Sequence, residues 1–180
     1  SDATFYIVRH RQPLVNQKGI TSGWSDSPLT EKGVSQAKEA GAKLNSVQFA
    51  AAVSSDLGRA HNTAELILAD NPPATPLTTS ELLREQFYGG FEGDLDSDWG
   101  ATLMESFGYE VDENWTHYGD FLKETTLQQR TDATAAMDET GLAEDWNEYE
   151  HRGQQAIQLL RDTAAGVGGG NILVVSHGTT

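Results

Sequence analysis

Three short apolar runs, each followed at once by polar residues, constrain the fold more than any other feature of the chain. They are Phe5-Tyr6-Ile7-Val8, Ala51-Ala52-Val53 and Ile172-Leu173-Val174-Val175. Each run is too short for a helix, and the first and third are rich in β-branched or aromatic residues, so the runs predict strands. Because the apolar residues are continuous rather than alternating, both faces of these strands are expected to be covered. The pattern predicts a mostly parallel sheet with helices on either side.

The segments between the runs have helical periodicity. Thr30 can cap a first helix, whose inward positions are Val34, Ala37, Gly41 and Leu44. Asp56 can cap a second helix, whose inward positions are Leu57, Ala60, Ala64, Ile67 and Leu68. A third helix is expected to end at the glycine-rich stretch 166–170, with inward positions Tyr149, Gly153, Ala156, Ile157, Leu160 and Ala164. Strands that alternate with helices predict an α/β fold, a three-layer sandwich in one domain over residues 1–180.

Polar residues that could bind a ligand or take part in catalysis follow the predicted strands. Arg9 and His10 follow the first, Arg59 lies shortly after the second, and His177 follows the third. Ligands of parallel α/β sheets bind at the carboxyl ends of the strands, so these side chains are expected to meet there. Taken singly, each could be a surface or structural residue. Arg59 would lie in a first helical turn, where the helix dipole disfavours a cation, and a bound anion would remove that conflict.

Glu85 is the best candidate for a catalytic carboxylate. It lies in ELLREQFYGGFEG, where Gly89, Gly90 and Gly93 can form a tight turn that holds it near a site; the alternative is an ordinary solvated glutamate. The other histidines are expected to be surface or packing residues: His61, His117 and His151. No spacing of acidic residues and histidines resembles a metal site, and we expect neither a metal nor a cofactor. Without cysteine, a thiolate nucleophile is excluded.

The charge balance excludes several classes of partner. The net charge of −15 argues against nucleic-acid binding and against an anionic membrane surface. No apolar run approaches the roughly 20 residues that span a bilayer, and none of the signal-peptide type precedes the first predicted strand, so a cytoplasmic location is expected. Residues 94–150 hold 16 of the 27 acidic residues and two of the 12 basic ones. Nearly all the negative charge therefore falls in one segment.

Five motifs, in order along the chain, resemble those of the histidine phosphatase superfamily, which includes phosphoglycerate mutases and small-molecule phosphatases. They are VRHRQPLVN, SGWSDSPLTEKGVSQA, SSDLGRAHNTAELI, LREQFYGGFEG and VVSHG. The resemblance covers most of the chain from Phe5 to Gly178. It implies a phosphoglycerate mutase-like fold with a variable insertion, here residues 94–150, that forms an acidic helical cap. The chain departs from the family pattern at Arg11, which replaces a glycine, and at Pro13, which replaces a threonine or serine.

The resemblance also implies roles for individual residues. His10 would be the nucleophile that forms a phosphohistidine, and Glu85 would protonate the leaving oxygen and later deprotonate a water molecule. The phosphoryl oxygens would be held by Arg9, Arg59 and His177, with Asn16 and the backbone near Gly23 completing the cradle. Arg11 and Gly178 are further candidates for substrate contact. Fixed guanidinium and imidazole donors stabilise the charge of a transferring phosphoryl group without any metal.

Three functions are compatible with this resemblance. The leading hypothesis is a metal-independent phosphomonoesterase that hydrolyses a small phosphorylated metabolite. A phosphoglycerate mutase is the second, although residues 94–150 lack the Arg-Arg-aromatic motif that the resemblance would imply for it. The third is a non-catalytic phosphate-binding or regulatory module, which would have no need of a nucleophile and an acid. The protein is expected to be a monomer or a homodimer, and an acidic pocket would favour a monophosphate with an uncharged or cationic remainder.

Overall fold

A parallel sheet forms the centre of the protein. The computed structural model describes residues 2–9, 19–71 and 74–178. Within them the strands are β1 (Ala3–Arg9), β2 (Phe49–Ser55), β3 (Leu77–Ser80) and β4 (Gly170–Ser176), in the spatial order β1-β4-β2-β3. All pairings between these strands are parallel. The three strands expected from the apolar runs are confirmed. β3, with the sequence LTTS, lies at an edge beside β2 and has no apolar run that would predict it.

Helices cover both faces of this sheet. On one face lie α1 (Glu31–Lys43) and α2 (Gly58–Leu68). The acidic segment then forms α3 (Asp96–Ser106), α4 (Tyr118–Glu124) and α5 (Leu127–Met137), and α6 (Trp146–Gly166) lies on the other face of the sheet. Successive residues of β4 point to opposite faces: Leu173 packs with Ile67 of α2, whereas Val174 packs with Ala156 of α6. All four side chains are at most 5% exposed. The predicted three-layer α/β sandwich is therefore confirmed.

The two predicted helix caps have different outcomes. Thr30 caps α1 as expected, because its side chain accepts a hydrogen bond from the Gly33 N–H at 3.1 Å. The prediction that Asp56 caps the second helix is wrong. α2 begins at Gly58, and the carboxylate of Asp26 accepts from the N–H groups of Gly58 and Arg59, at 2.5 and 3.3 Å. Asp56 is instead held by two hydrogen bonds from the guanidinium of Arg84, at 2.8 and 2.7 Å.

The expected inward face of α6 is confirmed in part. Tyr149, Ala156 and Ala164 are buried, but Ile157 is 53% exposed, so its placement in the core was wrong. Ile157 lines a groove together with Ile7, which is itself 66% exposed. Within the described residues β1 is an edge strand, and this groove lies beside it. The expected helix end is confirmed: α6 stops at Gly166.

The acidic segment is helical and has a small core of its own. In that core Leu103 and Met104 of α3 pack with Phe121 of α4, and all three are at most 2% exposed. The rings of Phe107 and Tyr109 contact Phe121 edge-on, with centroids 5.6 and 5.5 Å away. Several of the segment's aromatic residues therefore stabilise its own helices. Among the described residues, no helix combines the length and apolarity that a membrane crossing requires.

Candidate functional site

The ends of β1 and β4 bring three of the predicted site residues together. Arg9 is the last residue of β1 and pairs with Ser176 of β4 in the parallel register. His177 and Gly178 follow Ser176 directly, so they lie near Arg9. A Cβ placed on Gly178 would lie 3.7 Å from Nη1 of Arg9 and 3.9 Å from Oε2 of Glu85. A guanidinium and a carboxyl group therefore approach the same point at the carboxyl edge of the sheet, where ligands of such sheets bind.

His177 is buried at this edge and contacts the end of a third strand. Its side chain is 1% exposed, and its Nε2 lies 2.8 Å from Oγ of Ser55, the last residue of β2. The hydroxyl can donate to or accept from the ring, so the tautomer of His177 is coupled to the orientation of Ser55. Strand order alone brings the ends of β1, β4 and β2 next to one another.

Arg59 lies in the first turn of α2, as expected, and is 2% exposed. Its guanidinium donates to the backbone carbonyls of Gly23, at 2.6 Å, and Ser25, and to the carboxylate of Asp26 at 3.1 Å. The conflict with the helix dipole is relieved by Asp26, since this carboxylate is at the N-terminus of α2 and beside the cation. The same three contacts attach the loop around Gly23 to the start of α2.

Gly23 lies in a loop fixed by a carboxylate. Its N–H donates to both oxygens of Glu92, at 3.1 and 3.0 Å, and the N–H of Ser25 donates to the same group at 2.7 Å. A third N–H, from Tyr88, reaches Glu92 at 3.0 Å. A Cβ on Gly23 would overlap the backbone carbonyl of Gln86, so the close approach of these two loops requires glycine. In this arrangement the Gly23 amide binds Glu92, and its role in a phosphate cradle stays a prediction.

Glu85 is held at the site by its side chain and its backbone. It is 9% exposed, and its Oε1 accepts from the Gln86 N–H at 2.9 Å and from the Tyr149 hydroxyl at 3.4 Å. Its backbone carbonyl accepts from the indole N–H of Trp24 at 3.0 Å and from Arg152 at 2.8 Å. The alternative interpretation, a solvated glutamate, is therefore wrong.

Tyr88 adds a half-buried phenol close to these acidic groups. Burial raises the pKa of its hydroxyl strongly, and the negative charges of Glu85, Glu92 and Asp96 raise it further. The hydroxyl therefore stays protonated at neutral pH and remains a hydrogen-bond donor. The electrostatic environment around Tyr88 is negative, which bears on the substrate that this region could accept.

The remaining predicted residues fall outside the described part of the chain. They are His10, Arg11, Pro13 and Asn16, and their predicted roles stay predictions. Across residues 2–9, 19–71 and 74–178, no group of three or more histidine and acidic side chains could hold a metal ion.

Sequence reasoning did not identify several residues that hold the site. Asp26 and Glu92 fix the Gly23 loop, Ser55 contacts His177, and Arg152 with its partner Glu144 contacts the Glu85 loop. Ser55 follows the apolar run Ala51-Ala52-Val53 by two residues, and that position could have identified it. Asp26 and Glu92 lie within two of the motifs that resemble the family, SGWSDSPLTEKGVSQA and LREQFYGGFEG, whereas Glu144 and Arg152 lie outside all five.

Comparisons with known proteins agree with this geometry. The family model for the histidine phosphatase superfamily (branch 1) matches residues 5–180. A 2,3-bisphosphoglycerate-dependent phosphoglycerate mutase 2 of Gloeobacter violaceus is 31% identical over 99% of this chain and 72% of its own length. A 2,3-bisphosphoglycerate-dependent phosphoglycerate mutase of Bradyrhizobium is 40% identical, but the match spans only 56% of this chain and 52% of that relative.

Solved structures resemble the fold over nearly the whole chain. A phosphoglycerate mutase from Bacillus anthracis matches with a TM-score of 0.89 and 35% identity, covering 98% of this chain and 75% of that one. A putative alpha-ribazole-5'-P phosphatase from Escherichia coli matches with a TM-score of 0.70 and 25% identity, covering 98% and 74%. These structures bear the names of both a mutase and a phosphatase. The match of the family model and the fold together establish that the chain belongs to branch 1 of the histidine phosphatase superfamily.

Proposed function

We propose that the protein is a metal-independent phosphomonoesterase that hydrolyses a small phosphorylated metabolite through a phosphohistidine on His10. One observation carries the proposal: Arg9 and Glu85 approach the same point beside Gly178, because a Cβ on that glycine would lie 3.7 and 3.9 Å from their side chains. An ester phosphate bound there meets a guanidinium that can hold its oxygens and a carboxyl group that can protonate the leaving oxygen. His177 and Arg59 would supply further donors, and His10 immediately follows Arg9 in the sequence.

The charges around the site support one class of substrate. Three arginines close to the site each have a carboxylate partner: Arg59 pairs with Asp26, Arg84 with Asp56, and Arg152 with Glu144. Their charges are therefore largely neutralised before any substrate binds. A second anionic group on the substrate would also meet the negative environment of Tyr88. We therefore expect a monophosphate with an uncharged or cationic remainder.

A phosphoglycerate mutase is the second candidate, favoured by the names of the relatives in Gloeobacter violaceus and Bacillus anthracis. Phosphoglycerate carries a carboxylate besides its phosphate, so a mutase must hold two anionic groups at once. The paired arginines supply little net positive charge for the second group. The two reactions differ in an observable way, because a mutase interconverts phosphoglycerate isomers without net release of phosphate.

The experiment is a phosphate-release assay in the presence of a chelator, with a panel of metabolite monophosphates and with both phosphoglycerate isomers. His10→Ala is tested beside the native chain, and His151→Ala serves as a control because His151 is exposed on α6. We expect release from at least one monophosphate by the native chain and by His151→Ala, and none by His10→Ala. Turnover by His10→Ala at the native rate, or isomer exchange without phosphate release, would refute the proposal.

A further inference from the structure

A partly buried arginine on α6 contacts the backbone of the loop that carries Glu85. Nη1 of Arg152 donates to the carbonyl of Leu82 at 3.2 Å and to that of Arg84 at 2.7 Å. Nη2 donates to the carbonyl of Glu85 itself at 2.8 Å. Three carbonyls within four residues are thus bound by one planar group, and a planar group restricts their orientation more than a single ammonium can.

Glu144 fixes the other side of this guanidinium and of the loop. Its carboxylate accepts from Nε and Nη2 of Arg152 at 2.9 and 2.7 Å, a two-point pairing between side chains that are 12% and 11% exposed. The same carboxylate accepts from the Phe87 N–H at 2.8 Å, and the Glu144 N–H donates to the Phe87 carbonyl at 3.0 Å. Arg152 and Glu144 therefore bind the main chain on both sides of Glu85.

Arg152 also reaches the carboxyl group of Glu85 through Tyr149. The guanidinium carbon lies 5.2 Å from the centroid of the Tyr149 ring, and the hydroxyl of that ring contacts Oε1 of Glu85 at 3.4 Å. The Gln86 N–H also binds Oε1. Oε2 is the oxygen that approaches Gly178 and, through it, Arg9. The two oxygens of the carboxyl group therefore have different surroundings.

We infer that Arg152, with Glu144, is a positioning residue that directs Oε2 of Glu85 toward the reacting group. The inference rests on the proposed function. When the ester bond breaks, the proton on Oε2 passes to the leaving oxygen as the phosphoryl group moves to His10. When water then attacks phosphorus and the bond to His10 breaks, Oε2 accepts the proton of that water. Oε1 stays bound to Gln86 and Tyr149 throughout.

The first test separates positioning from general stabilisation. Arg152→Lys and Arg152→Met are compared with Arg161→Lys and Arg161→Met, matched controls at an exposed arginine of the same helix. A general acid contributes on the order of 10²- to 10⁴-fold, so we expect Arg152→Met to lower kcat for an alkyl phosphate by roughly 10- to 100-fold. With an activated aryl phosphate, whose leaving group needs no proton, kcat should fall by less than about threefold, and KM should change little for both substrates. The loss should be smaller in Arg152→Lys, and the Arg161 variants should match the native chain.

Equal losses of kcat for the two substrates, with or without a fall in the unfolding midpoint, would overturn the inference. Tyr149→Phe provides a second variant if Arg152→Met does not fold, because it removes only the hydroxyl that contacts Oε1. It should also slow the alkyl phosphate selectively, and an unchanged ratio of the two rates would count against the inference.

A measurement without turnover distinguishes this inference from the proposed function. The carboxyl carbon of Glu85, assigned by NMR with Glu85→Gln, is titrated in the native chain and in Arg152→Lys. A displaced titration or chemical shift in Arg152→Lys supports positioning even if the native chain hydrolyses no phosphate. Identical curves would overturn it even if the native chain is an active phosphatase.

Discussion

Asp138 connects the helical segment to the loop that follows Glu85. It comes directly after α5 and is 8% exposed. Its Oδ1 accepts from the N–H groups of Gly90 and Thr140, at 3.1 and 3.0 Å, and its Oδ2 from those of Leu142 and Ala143, at 3.0 and 2.8 Å. Burial on its own would raise the pKa of Asp138, but these N–H groups and the Thr140 hydroxyl together outweigh it and lower the pKa to about 2.

Replacing Asp138 by asparagine removes one of the two acceptor oxygens. In Asp138→Asn the amide nitrogen of the new side chain would face two backbone N–H donors that then have no acceptor. Because a hydrogen bond to a charged group contributes about 1.5–3 kcal/mol, we expect the free energy of unfolding to fall by roughly 3 kcal/mol at neutral pH. Glu139→Gln is the matched control, because Glu139 is the exposed neighbour, and should change it by less than about 0.5 kcal/mol.

The pH dependence tests the physical origin of this loss. The pKa of Asp138 is lower in the folded state, about 2 against an ordinary 3.8, so its ionised form stabilises the fold above pH 4 and this stabilisation disappears as the pH falls toward 2. The difference corresponds to at most about 2 kcal/mol, and screening by water reduces the expected figure to about 1 kcal/mol. Urea unfolding followed by tryptophan fluorescence should therefore show a smaller gap between the native chain and Asp138→Asn at pH 2.5 than at pH 6.5. A gap that stays constant would refute the assignment of the loss to the ionised carboxylate.

Three further substitutions probe the site and its supporting loops. Asp26→Ala removes the acceptor at the start of α2 and the partner of Arg59, and should lower the free energy of unfolding by about 1–2 kcal/mol in urea titrations; a neutral outcome would contradict the capping role. Gly23→Ala makes a methyl group overlap the Gln86 carbonyl, so it should lower the free energy of unfolding by at least about 2 kcal/mol in the same titrations. Gly153→Ala on α6 is the control and should not destabilise the fold, because a Cβ at that position meets nothing within 4 Å. Glu85→Gln should slow hydrolysis of alkyl phosphates more than that of an activated aryl phosphate, and equal slowing would mean that Glu85 is not the proton donor.

The features that the sequence predicts well are those that adjacent residues determine. Continuous apolar runs identify β1, β2 and β4. β2 and β4 are mostly buried, as such runs predict, whereas β1 is less covered than expected, because its Ile7 is 66% exposed. Apolar runs do not predict β3, because it is an edge strand whose central residues, Thr78 and Thr79, are exposed. The cap of α1 is equally local, because Thr30 precedes its helix directly.

The Asp56 prediction failed because the required partner is distant in sequence. A carboxylate two residues before Gly58 fits the local pattern of a cap, whereas nothing in that pattern points to Asp26, which is 32 residues away. The fold brings Asp26 to the N-terminus of α2, and Arg84 binds Asp56 instead. Helix-cap patterns identify residues that can cap, and the tertiary structure decides which of them does.

The same distinction separates the residues that could react from those that hold them. The predicted strand ends deliver Arg9, His177 and Gly178 to one edge because parallel strands all end on the same side, a consequence of topology that the sequence reveals. No comparable rule predicts from the sequence which groups orient Glu85 and Gly23. Arg152 is 67 residues from Glu85, and Glu92 is 69 residues from Gly23, and both bind backbone atoms, which carry no residue-specific signal. A single sequence can therefore predict which residues could react at this candidate site, whereas the contacts that orient them require the three-dimensional structure.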